Sequence, residues 1–214
     1  MKLNSINTPI GRVFVRNHFD EEVVKEVILD HEYERWGDIT INKGDTVIDC
    51  GGHIGSFTLL ALSKGANVVS IEADRENFEV LKVNTANYGN LKLINAILWN
   101  GLPVSFLKDE KRGELNKVGG NSPKRETTTL DNVISMFDVD KIDLLKMDIE
   151  GAEYEVLYNF KNLKRVKQLT MEWHYGCTKM AELIIFLEKN GLEVVWSAGN
   201  GQWGKIQAKR IDEK

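Results

Sequence analysis

Short runs of β-branched and aliphatic residues alternate along this chain with longer runs whose apolar positions recur at three- and four-residue spacing. That alternation predicts strand–helix–strand units and a parallel sheet. A buried-type strand is expected over 46–49 and, beyond a glycine-rich turn, a helix over 56–63 that Lys64-Gly65 stops. The next strand covers 67–71 and ends at Glu72. Asp74 caps a helix running to about Tyr88, and Gly89-Asn90 stops it before a strand over 91–95. Further strands are expected over 142–147 and 166–173. Helices are expected over 131–137, 151–160 and 178–189. Two closing strands, 192–196 and 203–211, flank Gly199-Asn200-Gly201, a turn that makes the last strand antiparallel.

Residues 97–128 break the rhythm. Positions 97–107 alternate enough for one hairpin strand, 109–124 is charged and glycine-rich and reads as a mobile loop, and 126–129 is placed to pair with the earlier strand. The first 43 residues read as a strand over 10–15, a helix over 20–29 and a linking segment. The expected division is an N-terminal extension, 1–43, packing on a core domain, 44–214, that carries the 97–128 insertion.

Composition narrows the class. At 214 residues, with 42% hydrophobic and 28% charged positions, the chain can build one full core. Lys and Arg number 28 against 32 Asp and Glu, a net charge of −4, which removes a generic polycation argument for nucleic acid. Two distant cysteines, Cys50 and Cys177, make no disulfide framework, and Cys177 has no base beside it to make it a nucleophile. No apolar run approaches the ~20 residues of a membrane span, and the first residues carry no signal-peptide pattern. A cytoplasmic protein is expected.

The turn after the first core strand carries the first chemistry. Asp49-Cys50-Gly51-Gly52-His53-Ile54-Gly55 lacks the three-glycine spacing of a dinucleotide loop, because His53 and Ser56 stand where two glycines would be. An acid beside the turn repels pyrophosphate and suits a cation or a hydroxyl donor. Glu72, at the end of the following strand, can accept both hydroxyls of a ribose. These features suggest a nucleoside with ribose hydroxyls, positive charge and no phosphate, and S-adenosylmethionine fits all three. The plainer readings are a tight turn that needs positive φ and, for Glu72, a helix-capping acid.

A second segment is more specific. Ile142-Asp143-Leu144-Leu145-Lys146-Met147-Asp148-Ile149-Glu150-Gly151-Ala152-Glu153 resembles the corresponding run of FkbM-type methyltransferases, a branch of the class I S-adenosylmethionine-dependent enzymes. Residues 47–55 resemble that family's first motif, with His53 where the family more often shows Asn. Thr128-Thr129-Leu130-Asp131 resembles its lead into the helix before the fourth parallel strand, and Met171-Glu172-Trp173-His174 resembles its Glu-x-His strand ending. The likeness covers about residues 44–175. It implies an α/β class I methyltransferase (Rossmann-like) fold: a seven-stranded, mostly parallel sheet with helices on both faces and a terminal antiparallel strand. It also implies O-methyl transfer to hydroxyls, often of sugars or secondary metabolites.

Asp49, Glu72, Asp148, Glu172 and His174 all fall at or just past expected strand ends, where open α/β sheets bind ligands. The cofactor-binding set is expected to be Asp49, Gly51, Gly52, His53, Gly55, Glu72, Asn95, Ala96 and Asp148. The catalytic set is Asp148, His174, Glu150 and Lys146. A hydroxyl acceptor must lose its proton. His174 or Asp148 can take it as general base, or Asp148, Glu172 and His174 can hold a divalent ion such as Mg²⁺ that acidifies the hydroxyl. Each residue has a plainer role. Asp148 can cap the next helix, Glu150 and Glu153 can be first-turn acids, Lys146 can simply neutralise Asp148, and His174 can be a satisfied surface side chain. Trp99 follows the segment where an adenine would lie, though burial under the hairpin suits it better. A small-molecule or glycan acceptor is expected. The competing readings are a nucleic-acid methyltransferase, disfavoured because Asp-Ile-Glu-Gly replaces a Pro-Pro-aromatic strand ending, and a non-catalytic cofactor-binding module.

Overall fold

The computed structural model describes residues 2–107, 117–118, 123–174 and 177–211. An N-terminal hairpin, β1 (Asn4–Thr8) and β2 (Gly11–Val15), leads into α1 (His18–Val24), which continues as one wide π turn over Lys25–Leu29. The core then runs β3 (Thr46–Cys50), α2 (Ser56–Ser63), β4 (Asn67–Glu72), α3 (Arg75–Asn84) and β5 (Leu91–Asn95). The insertion follows as β6 (Ile97–Leu98), β7 (Val104–Leu107), β8 (Lys117–Val118), β9 (Lys124–Arg125) and β10 (Thr127–Thr128). The second half runs α4 (Leu130–Met136), β11 (Ile142–Met147), α5 (Glu153–Asn159), β12 (Val166–His174), α6 (Cys177–Lys189), β13 (Leu192–Gly199) and β14 (Trp203–Arg210).

Seven strands form the main sheet in the order β13-β14-β12-β11-β3-β4-β5. All neighbouring pairs from β12 to β5 are parallel, and β14 runs antiparallel between β12 and β13. This is the expected class I methyltransferase sheet with helices on both faces. Successive side chains of a strand point to opposite faces, and both faces are covered, so the central strands read as unbroken apolar runs. Ile48 and Leu145 join one core with Val133 of α4, Leu157 of α5 and Leu183 of α6. Their sequence neighbours Val47 and Leu144 join the other with Phe57 and Leu60 of α2, Val80 of α3, and Val24 and Val27 of the N-terminal segment.

Local chemistry sets the element ends. The Asp74 carboxylate accepts from the Glu76 and Asn77 N–H groups and caps α3. That helix stops at Asn84, short of Tyr88, where Thr85 hydrogen-bonds back to the Leu81 carbonyl. The single strand expected over 97–107 is two: β6 pairs in parallel with β10, while β7 pairs with β8 and β9. Between them Gly101 takes a φ of +90° and Pro103 brings no N–H to a ladder. Most of the loop expected over 109–124 lies outside the described residues, as does the side chain of Cys177. The strand Asn4–Thr8 escaped the sequence pattern because it is mostly polar and exposed, and only its pairing with β2 defines it. Among the described residues no helix is long and apolar enough to cross a membrane.

Candidate active site

The chain leaves β3 and builds outward along β4 and β5, then returns to the other side of β3 with β11 and β12. That reversal opens a crevice between the carboxyl ends of β3 and β11. The loops beyond the two strands are laced together. The Asp148 N–H donates to the Cys50 carbonyl, and the Gly51 and Gly52 N–H groups both donate to the Ile71 carbonyl. Gly51 has a φ of +83°, and a Cβ there would lie 1.8 Å from the Asp148 carbonyl oxygen, so no side chain fits. Gly55, at φ +98°, opens α2. His53 also stands in the left-handed region, at φ +48°, which explains why Asn suits this position in the resembling motif.

One cleft, about 620 Å³ with the open solvent at its mouth, lies against the loop and the ends of β4 and β5. Ile71, Ala96, Ile97 and Leu98 give it apolar walls, and Glu72 its carboxylate. Glu72 does not cap α3. Its Oε2 accepts the His53 N–H at 2.8 Å and its Oε1 the Asp74 N–H at 2.7 Å. Burial pushes its pKa up to about 7 against the pull of those two bonds. Two expected cofactor contacts are placed elsewhere. The Asn95 amide turns back to the Glu72 and Ala73 carbonyls, at 2.8 and 3.3 Å. Asp49 is fully buried beneath the loop, where its Oδ2 accepts from the Thr58 hydroxyl and its Oδ1 pairs with Lys146 Nζ at 3.2 Å. The register of β3 and β11 sets Asp49 opposite Lys146, which keeps this acid inside the sheet. Trp99 packs against the core.

Lys146 also donates to the Gly51 carbonyl at 2.7 Å, so one ammonium ties β11 to the glycine loop. Burial opposes its charge, but Asp49 and Asp148 outweigh burial and raise its pKa.

A second and larger cavity, about 1330 Å³ including open solvent, adjoins the first across Gly51, His53, Asp148 and Glu150. Glu172 and His174 line it from the end of β12, while Phe19, Val23, Val27 and Tyr33 line it from the N-terminal segment. Asp148 accepts the Tyr33 hydroxyl on Oδ2 at 2.8 Å and caps no helix, since α5 begins at Glu153 without a side-chain cap. Tyr33 is buried, and the carboxylates around it push its pKa further above the level burial sets, so it stays a donor. Glu153 is more than a first-turn acid. It is fully buried and accepts the Ile149 and Gly151 N–H groups, both at 3.1 Å, and contacts His174 Nδ1 at 3.2 Å. Burial favours neutral His174, but its bond to Glu153 and the nearby Glu150 and Asp148 charges win, raising its pKa to about 9. Glu172 sits 3.2 Å from Lys205, and burial together with Asp148 and Glu150 pushes it well above the usual carboxylate range.

The expected metal triad is therefore not assembled. Asp148, Glu172 and His174 share the cavity, but each faces a protein partner: Tyr33, Lys205 and Glu153 respectively. Among the described residues no group of three His, Cys, Asp or Glu side chains is placed to hold a metal ion. Tyr33 is a contributor that the sequence pattern did not single out. It carries no motif, and only the charged, aromatic character of 31–36 marks its neighbourhood.

The model of the FkbM methyltransferase domain matches residues 49–194. The chain belongs to this FkbM family. Among curated proteins it is 28% identical over 173 residues to ribosomal RNA small subunit methyltransferase A of Clostridium botulinum, covering 80% of this chain and 57% of that one. The chain thus spans little more than half the length of these relatives. Among solved structures, an rRNA methylase from Streptococcus thermophilus matches with a TM-score of 0.54 at 13% identity, covering 87% of this chain and 96% of that one. TYW2 of M. jannaschii in complex with AdoMet matches at 0.51 and 16% identity, covering 98% and 87%. At those identities the likeness is one of fold. The FkbM match takes in the glycine loop, Glu72, Asp148 and His174 but stops short of the N-terminal wall.

Proposed function

We propose that this FkbM-family chain is an S-adenosylmethionine-dependent methyltransferase acting on a hydroxyl of a small molecule or sugar. The observation that carries the reading is the pair of adjoining cavities sharing Asp148, one with a ribose-type carboxylate and apolar walls, the other acidic. The first cavity's residues fit the nucleoside. Each Glu72 oxygen accepts one backbone N–H and keeps a lone pair for a ribose hydroxyl, while Ile71, Ala96, Ile97 and Leu98 offer flat apolar contact to a base. When bound, the cofactor supplies a methyl group on a positively charged sulfur. Asp148 is the proposed base. Tyr33 holds one of its oxygens, which leaves the other for the acceptor's hydroxyl proton. His174, carried as an imidazolium by Glu153 near neutral pH, serves better as a fixed positive charge beside Asp148 and Glu150 than as a base. Lys146 keeps the glycine loop in register from below.

RNA is the second reading, and the names of the curated relatives favour it. The second cavity weighs against it. Glu26, Glu32, Glu150, Asp148 and Glu172 line that space, and carboxylates repel a phosphate backbone. Titration calorimetry with S-adenosylmethionine and S-adenosylhomocysteine, with and without Mg²⁺, tests the cofactor, and methyl transfer to a panel of sugars and polyols tests the acceptor. Absence of cofactor binding rejects the enzyme reading. Salt-sensitive binding of an RNA oligonucleotide, with methyl transfer to it, replaces the hydroxyl acceptor by RNA.

A further inference from the structure

The N-terminal hairpin and α1 lie outside the FkbM match, yet they grip the glycine loop at two consecutive residues. Asn84 of α3 accepts the Phe14 N–H and donates to both the Phe14 and Ile54 carbonyls, so β2 is bonded to the loop through one amide. One residue earlier, the His53 ring reaches the N-terminal segment itself. Arg16 Nη2 lies 3.3 Å from His53 Nε2, and Asp20 Oδ1 lies 3.5 Å from the same nitrogen. Asp20 is almost fully buried and takes three hydrogen bonds from Arg16, through its backbone N–H, Nε and Nη2, at 2.8 to 2.9 Å. Such a buried, doubly engaged pair is a rigid post rather than a surface ion pair.

The post stands where the loop is strained. His53 holds a φ of +48°, and in that conformation its N–H meets Glu72 Oε2. Asn reaches the left-handed region at little cost because its short polar side chain hydrogen-bonds locally, while His needs more outside support. We propose that Arg16 and Asp20 are positioning residues for the cofactor site: they hold the His53 ring, the ring holds the left-handed backbone, and that backbone holds the Glu72 carboxylate. The proposal rests on the cofactor reading above. It assigns the N-terminal segment a share of cofactor affinity, besides its place in the second cavity's wall. The neutral ring fits the arrangement. Nε2 lies between a donor, Arg16 Nη2, and an acceptor, Asp20 Oδ1, so either neutral tautomer keeps a partner there, and burial keeps the His53 pKa down at about 4.

The test is epistasis in S-adenosylhomocysteine affinity, read by calorimetry on the full chain. Arg16→Met with Asp20→Asn removes the post without leaving a lone buried charge. In the His53 background this pair is expected to weaken binding about tenfold, the scale set by a residue held in a sparsely populated backbone conformation. In the His53→Asn background the same pair is expected to change binding less than about threefold, because Asn keeps the left-handed turn unaided. His53→Asn alone, which retains the backbone N–H, gives a folded control. A post that served only stability would lower the melting temperature in both backgrounds and leave the affinity difference untouched. Equal losses in the two backgrounds, or no loss in either, overturn the proposal. Wild-type protein that binds no S-adenosylhomocysteine rejects the cofactor reading itself, which is a separate failure from wild-type binding with indifferent variants.

Discussion

The two adjoining cavities are built by different means. The first is made of strand ends and main chain: a glycine loop folded against the Asp148 carbonyl, a carboxylate fixed by two backbone N–H groups, and apolar residues from β4 through β6. Its lining residues run from Gly51 to Ala152 and lie within the family match. The second takes its floor from the ends of β11 and β12, but its walls come from Phe19 to Tyr33 at one end of the chain and Trp203 at the other. The first geometry follows from sheet topology and can be read from a short motif. The second depends on which remote side chains are packed over it. Acceptor choice is therefore expected to sit in residues that carry no family pattern.

The largest expected effect is at the seam both cavities share. Gly51→Ala sets a methyl group within bonding range of the Asp148 carbonyl at a left-handed backbone, and is expected to cost more than about 3 kcal/mol in denaturant unfolding, with loss of cofactor binding. Unchanged stability would mean that the two loops are not locked together. Next, Asp148→Asn is expected to lower turnover by about 10²–10⁴-fold, the usual worth of a general base, while S-adenosylhomocysteine affinity moves by only a few-fold. A variant that loses affinity as much as turnover would move Asp148 to the cofactor side. Tyr33→Phe, which keeps the ring and removes the hydroxyl, is expected to lower turnover about tenfold with unchanged cofactor affinity.

Glu72 sharpens the cofactor half of the comparison. Its pKa is held up to about 7, and ribose hydroxyls bond best to the ionised form, so S-adenosylhomocysteine should bind more tightly as pH rises through about 7. Glu72→Gln is expected to weaken binding about tenfold and flatten that pH dependence, as calorimetry across this range would show. The smallest effect belongs to His174. Its folded pKa is raised from 6.5 to about 9, so its contribution to stability is complete below 6.5 and lost as pH rises through about 9. Thermal unfolding should therefore show a decline on the order of 1 kcal/mol over that interval, absent in His174→Gln.

The sequence by itself determined the sheet, the glycine loop, Glu72 at the end of β4 and Asp148 at the end of β11. Those features follow from hydrophobic period and from turn residues with few alternatives, which are local properties of the chain. The same local logic erred with Asp49. A carboxylate at a strand end reads as ligand-facing until the register with β11 sets a lysine opposite it. It also left two acids and a histidine as a metal set or a base set, because the partners they face, Tyr33, Lys205 and Glu153, come from other segments of the chain. Only the tertiary structure decided those matters. Burial and the distance to an opposite charge fix a side chain's charge and direction, and neither is a property of its own segment. The N-terminal wall shows this most plainly, since Tyr33 and Asp148 stand 115 positions apart in the chain and share one hydrogen bond.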